Sequence, residues 1–153
     1  MTWSDLPDAY ERSEVLRNQA RAAMTAERWA EAGALLREAF DLHPQSINLA
    51  LLGTCLMKQG EIKQGVVHLS AAVGLGHNQF KDRVALAEVL YGLGQPFRHD
   101  ALWQIEEALR INPRYGRAKE ILRDWLSREP GLKDHVRPQI LTSALGSEQD
   151  ENS

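Results

Sequence analysis

The chain has 153 residues, of which 43% are hydrophobic and 25% charged, and its formal net charge at pH 7 is −3. This composition is ordinary for one globular domain, and so small a negative charge gives no overall attraction to nucleic acid or to an anionic membrane. The one cysteine, Cys55, excludes an intrachain disulfide. The first residues lack the apolar run of a signal peptide, and no stretch approaches the roughly 20 apolar residues of a membrane span. We therefore expect a soluble, cytoplasmic protein.

Residues 1–12 are interpreted as an N-terminal extension that precedes a repeating pattern. They contain the apolar residues Trp3, Leu6 and Tyr10. These side chains either lengthen the first helix or fold over the first repeat, and the sequence leaves both arrangements open.

An internal repeat runs from about residue 13 to residue 113. When the three copies are aligned, each set of equivalent positions forms a column, and one column holds only alanine, at Ala39, Ala72 and Ala108. Within each repeat, apolar residues return every three or four positions, which is typical of amphipathic helices. In the first half of the repeat, equivalent positions are 33 residues apart between the first and second copies and 34 apart between the second and third. In the second half, these separations are 33 and 36 residues. The excess lies between Gly94 and Ala101, so each repeat is interpreted as two helices joined by a turn.

Glycines mark two kinds of position in this repeat. Gly60 and Gly94 fall at the turn between the two helices, where a C-terminal glycine adopts a left-handed conformation at little cost. Glu27 occupies the same column in the first repeat. Gly53 and Gly65 fall in columns of small residues, where we expect the two helices of one repeat to cross closely.

These columns resemble the tetratricopeptide repeat (TPR) family. The second repeat carries the family pattern best, in order Leu49, Leu52, Gly53, Leu56, Gly60, Gly65, Leu69 and Ala72. The resemblance implies an all-α fold, a right-handed α-solenoid of antiparallel helix pairs known as a TPR superhelix. We place its repeats at about 13–45, 46–79 and 80–113, within a TPR domain of residues 13–130.

The segment after the third repeat is predicted to cap the stack. Residues 114–129 form an amphipathic helix whose apolar stripe consists of Ala118, Ile121, Leu122 and Trp125. Stacked repeats need such a terminal helix with one polar face. Residues 131–146 are predicted to contain a short helix that starts at Pro138. The acidic tail, residues 147–153, is predicted to be disordered.

In the TPR family the first helix of each repeat lines a concave groove that holds a partner peptide. Carried onto this sequence, the resemblance implies groove contacts from Arg17, Arg21, Met24, Ala50, Thr54, Met57, Lys58, Lys81, Val84, Glu88 and Tyr91. This groove is apolar in the middle, where methionines adapt to a partner's side chains, and cationic at both ends. We therefore expect a partner protein or peptide segment with acidic and apolar residues.

One TPR subclass holds the C-terminal carboxylate of chaperones through five polar residues. Arg17 and Lys81 fall at two of these positions, and Arg21 replaces an asparagine. Leu51 and Ala85 stand where asparagine and arginine are expected. The carboxylate clamp is therefore incomplete in this chain.

The sequence lacks the motifs that carry catalysis. It has no phosphate-binding loop, no nucleophile elbow and no His/Cys pair with zinc-ligand spacing, so we expect neither an enzyme nor a bound cofactor or metal. The prediction is a protein-interaction module that acts as an adaptor or chaperone-like scaffold. Two alternatives remain: a self-associating assembly scaffold, and nucleic-acid binding through the basic region 110–137, which has eight Lys/Arg against four Asp/Glu.

Overall fold

The computed structural model describes residues 6–76 and 80–151, and every regular element in these ranges is helical. The chain divides into two compact units, residues 1–77 and 78–153. The first unit contains α1 (Leu6–Thr25), α2 (Trp29–Leu42), α3 (Ser46–Lys58) and α4 (Ile62–Leu75). The second contains α5 (Phe80–Gly92), a 3-10 turn (Gln95–Phe97), α6 (Arg98–Ile111), α7 (Gly116–Arg128), a 3-10 segment (Pro130–His135) and α8 (Pro138–Glu151). The predicted all-α fold of paired helices is confirmed.

The turns inside the helix pairs lie where the glycine column predicts them. Gly60 and Gly94 have positive φ angles of 84° and 109°, and Glu27 adopts a φ of 60° at the equivalent place. The backbone N–H of Arg28 donates to the carbonyl of Ala23, five residues back, at 2.8 Å. Such a bond satisfies a carbonyl at the end of a helix. The φ angle is therefore positive at all three positions, including the one without glycine.

The close helix crossing predicted for Gly53 and Gly65 is also confirmed. A Cβ atom added to Gly53 would lie 2.9 Å from Cγ of Leu69 and 3.1 Å from the carbonyl oxygen of Gly65. A Cβ atom added to Gly65 would meet the side chain of Met57 at 2.6 Å. At Gly53 and Gly65, therefore, no side chain larger than hydrogen fits without displacing a neighbour.

The first helix starts earlier than the predicted repeat boundary at residue 13. Helix α1 begins at Leu6, so part of the predicted N-terminal extension lengthens the first helix. Ala9 and Ser13 are buried on this helix. Trp3, which belonged to the same prediction, lies outside the described residues.

The segments after the third repeat follow the prediction with one difference at the end. Helix α7 buries its predicted stripe, Ala118, Ile121, Leu122 and Trp125, and α8 begins at Pro138 as expected. Helix α8 then continues to Glu151, past the predicted boundary at residue 146. The residues there include glutamate and glutamine, which are good helix formers, and no proline interrupts them. No helix in the described ranges combines the length and the apolar character that crossing a membrane requires.

Cys55 lies in the core of the first unit, and its thiol is expected to be unreactive in the folded protein. Burial raises the pKa of this thiol from 9.0 to about 11, so at pH 8 the reactive thiolate is about a hundredfold scarcer than in the unfolded chain. Labelling with an aromatic disulfide reagent should therefore be slow in native buffer and fast in concentrated urea. Because only the unfolded thiol ionises between about pH 9 and pH 11, folding stability should also fall as pH rises through this window. Rapid labelling of the native protein would contradict the buried placement.

Candidate functional site

Arg17, the first predicted groove cation, is held inside the first unit. Its guanidinium donates hydrogen bonds to Oε1 of Gln45 at 2.8 Å and to Oδ1 of Asn48 at 3.4 Å. It also pairs with the carboxylate of Glu14 at 3.4 Å, and only 13% of its side chain is exposed. Since Nη1 and Nη2 already have partners and the charge is paired with Glu14, Arg17 does not present a free charge to a partner in this structure.

A buried network of polar side chains explains the position of Arg17. The side chain of Asn48 is fully buried, and its Nδ2 donates to Oγ of Ser13 at 3.3 Å and to the carbonyl of His43 at 3.4 Å. Ser13 in turn donates to the carbonyl of Ala39 at 2.9 Å. Buried polar groups of this kind cost free energy unless they are satisfied. The network therefore fastens α1 to the end of α2 and the start of α3.

Arg21 and Met24 complete the predicted contacts on α1. Arg21 is exposed, and its guanidinium makes no hydrogen bond or ion pair with another described residue. Met24 is partly buried and packs against the core of the first unit. Of the three predicted α1 residues, Arg21 alone offers an uncommitted charge.

The predicted contacts on α3 range from buried Ala50, through half-buried Thr54 and Met57, to exposed Lys58. Ala50 is buried, and the hydroxyl of Thr54 donates to its carbonyl at 3.1 Å. Met57 lies over Gly65 of α4. The ammonium group of Lys58 lies 5.6 Å from the ring centroid of Trp29, within range of a cation–π interaction. Ala50, Met57 and Lys58 therefore have contacts or burial within the first unit, and their predicted role in binding a partner stays a prediction.

The four predicted contacts on α5 have different environments in the second unit. Lys81 is exposed and has no partner among the described side chains, whereas Val84 is buried. Glu88 is exposed and forms an ion pair with Arg117 of α7. Lys81 therefore stays available to a partner, and Glu88 joins two helices.

Tyr91, the last predicted contact, is the centre of a stacked cluster. Its ring lies parallel to that of Trp125, with centroids 4.2 Å apart. The guanidinium of Arg98 lies 3.9 Å from the centroid of Tyr91. The Tyr91 hydroxyl donates to Oε1 of Glu129 at 3.2 Å, and Arg98 forms an ion pair with the same carboxylate. This cluster connects α5, α6 and the end of α7, so Tyr91 packs within the second unit, and its predicted contact with a partner stays a prediction.

A surface pocket between α5 and α7 was not anticipated from the sequence. It has a volume of about 390 Å³, and it is lined by Glu88, Arg117, Glu120, Ile121, Asp124 and Trp125. The α7 residues recur at spacings of three and four, which places them on one helix face. That spacing is visible in the sequence, where it predicts a capping helix over residues 114–129 and does not by itself indicate a pocket.

Glu106 and Glu107 converge on Arg137, although adjacent residues of a helix point in different directions. Glu106 is buried, and its carboxylate accepts hydrogen bonds from the backbone N–H and from Nε of Arg137, at 2.8 and 3.2 Å. Glu107 accepts from the same guanidinium at 3.0 Å. Burial alone would raise the pKa of Glu107, but hydrogen bonds from Arg110 and Arg137 outweigh it, so that this pKa is lowered. The arrangement fixes the start of α8 against α6.

Four of the eight cations of the basic region 110–137 form ion pairs within the described part of the chain. Its ion pairs are Arg110 with Glu107, Arg117 with Glu88, Arg128 with Asp124, and Arg137 with Glu106 and Glu107. Phosphate binding requires free lysine and arginine side chains, so these pairs weaken the nucleic-acid alternative. The described residues also contain no group of three or more His, Cys, Asp or Glu side chains placed to hold a metal ion.

Comparison with known proteins agrees with the helix-pair architecture. A family model described as tetratricopeptide repeat matches residues 23–82. No curated protein sequence matches the chain.

Several solved structures are similar in fold to this chain over a larger part of its length than the family model matches. The Arabidopsis OM64 TPR domain is 18% identical with a TM-score of 0.69, and the match covers 78% of this chain and 98% of that one. The first TPR of Spaghetti (RPAP3), bound to the HSP90 peptide SRMEEVD, is 15% identical with a TM-score of 0.70, covering 80% and 95%. YrrB, a TPR protein with an unusual peptide-binding site, is 19% identical with a TM-score of 0.67, covering 90% and 70%. The predicted resemblance to the tetratricopeptide repeat family is therefore confirmed, in sequence for residues 23–82 and in fold for the helix pairs.

Proposed function

We propose that the chain is a non-enzymatic protein-interaction module, which binds a segment of a partner protein on the first-helix faces of its repeats. The observation that carries this proposal is the open pocket between α5 and α7, whose lining combines charged side chains with Ile121 and Trp125. Protein interfaces have such a mixture of apolar surface and polar rim. An adaptor or chaperone-like scaffold is the role that fits it.

The structural relatives support this proposal by what they bind. The Spaghetti domain was solved with a peptide of HSP90, and YrrB has a peptide-binding site. Both have helix pairs like those of this chain. A peptide or an exposed protein segment is thus the class of partner that we propose here.

We propose that one cationic side chain on each unit contacts the partner. Arg21 on α1 and Lys81 on α5 are exposed and uncommitted among the described residues. Arg17 and Lys58, by contrast, already interact with Gln45 and Trp29. We therefore assign the recognition of acidic partner residues to Arg21 and Lys81 and do not propose a complete carboxylate clamp.

Reversing both charges, with Arg21→Glu and Lys81→Glu together, is expected to weaken partner binding about tenfold, because each lost attraction becomes a repulsion. Partners would first be recovered by affinity capture with quantitative mass spectrometry. The affinity of the purified partner would then be measured by calorimetry for the wild type and the variant.

The matched control reverses two exposed cations on second helices, Arg37→Glu on α2 and Lys63→Glu on α4. It makes the same change in net charge, so general electrostatic effects appear equally in both variants. Equal affinities of the two variants for the partner would place the binding surface away from Arg21 and Lys81.

A further inference from the structure

The pocket between α5 and α7 has an excess of negative charge once its internal ion pairs are counted. Arg117 is neutralised by Glu88 across the pocket. Asp124 is paired with Arg128 at 3.2 Å. Glu120 is exposed and has no partner among the described side chains. The pocket therefore holds an uncompensated carboxylate, because Arg117, the one cation among its lining residues, is already used in an ion pair and Asp124 is paired with a residue outside the lining.

The wall beside these charges is apolar. Ile121 and Trp125 line the pocket, and both are largely buried, at 6% and 4% exposed. Because Tyr91 stacks on one face of the Trp125 ring, the position of the indole is fixed by packing. A lysine or arginine can lay its methylene stem on such a wall while its charge reaches a carboxylate, and a cation near an aromatic ring gains further attraction.

We propose that this pocket receives a lysine or arginine side chain from the partner's segment, with Glu120 as the residue that selects the positive charge. The inference rests on the proposed function and adds a basic residue to the acidic and apolar ones expected from the sequence. Complementarity of charge carries the argument, since the only uncommitted charge that the described lining offers is negative. Its size, about 390 Å³, lies within the range of sites that bury a ligand group.

Two fluorescein-labelled synthetic peptides provide the test. They share their length and apolar residues, and one carries lysine where the other carries glutamate. Fluorescence polarisation with the full chain is expected to show preferential binding of the lysine peptide. Glu120→Lys should weaken that binding about tenfold and Glu120→Gln about threefold. Asp41→Lys on α2, which alters an exposed acid in the other unit, is the control of equal charge and should leave the affinity unchanged.

Chemical shifts measured by nuclear magnetic resonance provide a second test, which separates binding in the pocket from a general electrostatic effect on the protein. The indole N–H signal of Trp125 should shift on adding the lysine peptide, whereas that of Trp103, which does not line the pocket, should not. Three results would overturn the proposal: preference for the glutamate peptide, no binding of the lysine peptide, or equal weakening by Glu120→Lys and Asp41→Lys. None of them decides the proposed function, because the Arg21 and Lys81 variants test partner binding separately.

Discussion

Replacing Gly53 with alanine is expected to lower the free energy of unfolding by about 1–3 kcal/mol, because the added methyl group overpacks a tight helix crossing. Helix propensity alone would give the opposite result, because alanine is a better helix former than glycine by about 1 kcal/mol. A decrease in the free energy of unfolding therefore points to the tight crossing. The new Cβ would lie 3.1 Å from the carbonyl oxygen of Gly65 and 3.2 Å from the backbone nitrogen of Leu69. Backbone atoms in a helix cannot turn away as a side chain can, so α3 and α4 must move apart. Urea unfolding followed by circular dichroism measures the change.

Gly74→Ala is the matched control in the same unit. Gly74 lies in α4, and nothing is within 4 Å of the place where its Cβ would be. Alanine there gains helix propensity without a collision, so the free energy of unfolding should rise by up to about 1 kcal/mol. If Gly53→Ala stabilised the protein as Gly74→Ala does, the two helices would not be in the close contact described.

The repeat columns were enough to predict where helices end and where they cross. Each glycine in these columns reflects a local requirement. Gly53 and Gly65 leave space between two helices, and Gly60 and Gly94 allow a positive φ angle at a turn. Such requirements appear in the sequence whatever the distant partners are. The position of α8 at Pro138 follows in the same way from a local signal.

The environment of the site residues could not be predicted in this way. A family position places Arg17 or Tyr91 on a helix face, but the atoms that those side chains contact come from distant parts of the chain. Arg17 meets Asn48, 31 residues away, and Tyr91 meets Glu129, 38 residues away. These contacts give both residues a role in packing within their own unit, and their predicted contact with a partner stays a prediction. For the same reason the pocket residue Glu120 was missed, because its importance depends on what its neighbours already bind.

Replacing Trp125 with alanine is expected to cost about 3–5 kcal/mol of unfolding free energy, the usual range for removing a buried tryptophan. The indole is only 4% exposed, and it supports the ring of Tyr91 from a distance of 4.2 Å between centroids. Its removal leaves a cavity beside Tyr91 of α5. The Tyr91 ring, which the guanidinium of Arg98 from α6 covers, is then held less firmly. Thermal and urea unfolding measure the loss.

Two further variants separate the stacking from the size of the side chain. Trp125→Phe keeps an aromatic ring against Tyr91, so it should recover a substantial part of the loss. Trp103→Ala removes a tryptophan from α6 that is 52% exposed and contacts the guanidinium of Arg83, and it should cost about 1 kcal/mol or less. Equal losses for Trp125→Ala and Trp103→Ala would mean that the stacked cluster does not hold the second unit together. A large loss at Trp125 alone, partly restored by phenylalanine, would show that the wall of the pocket is also a support of the fold.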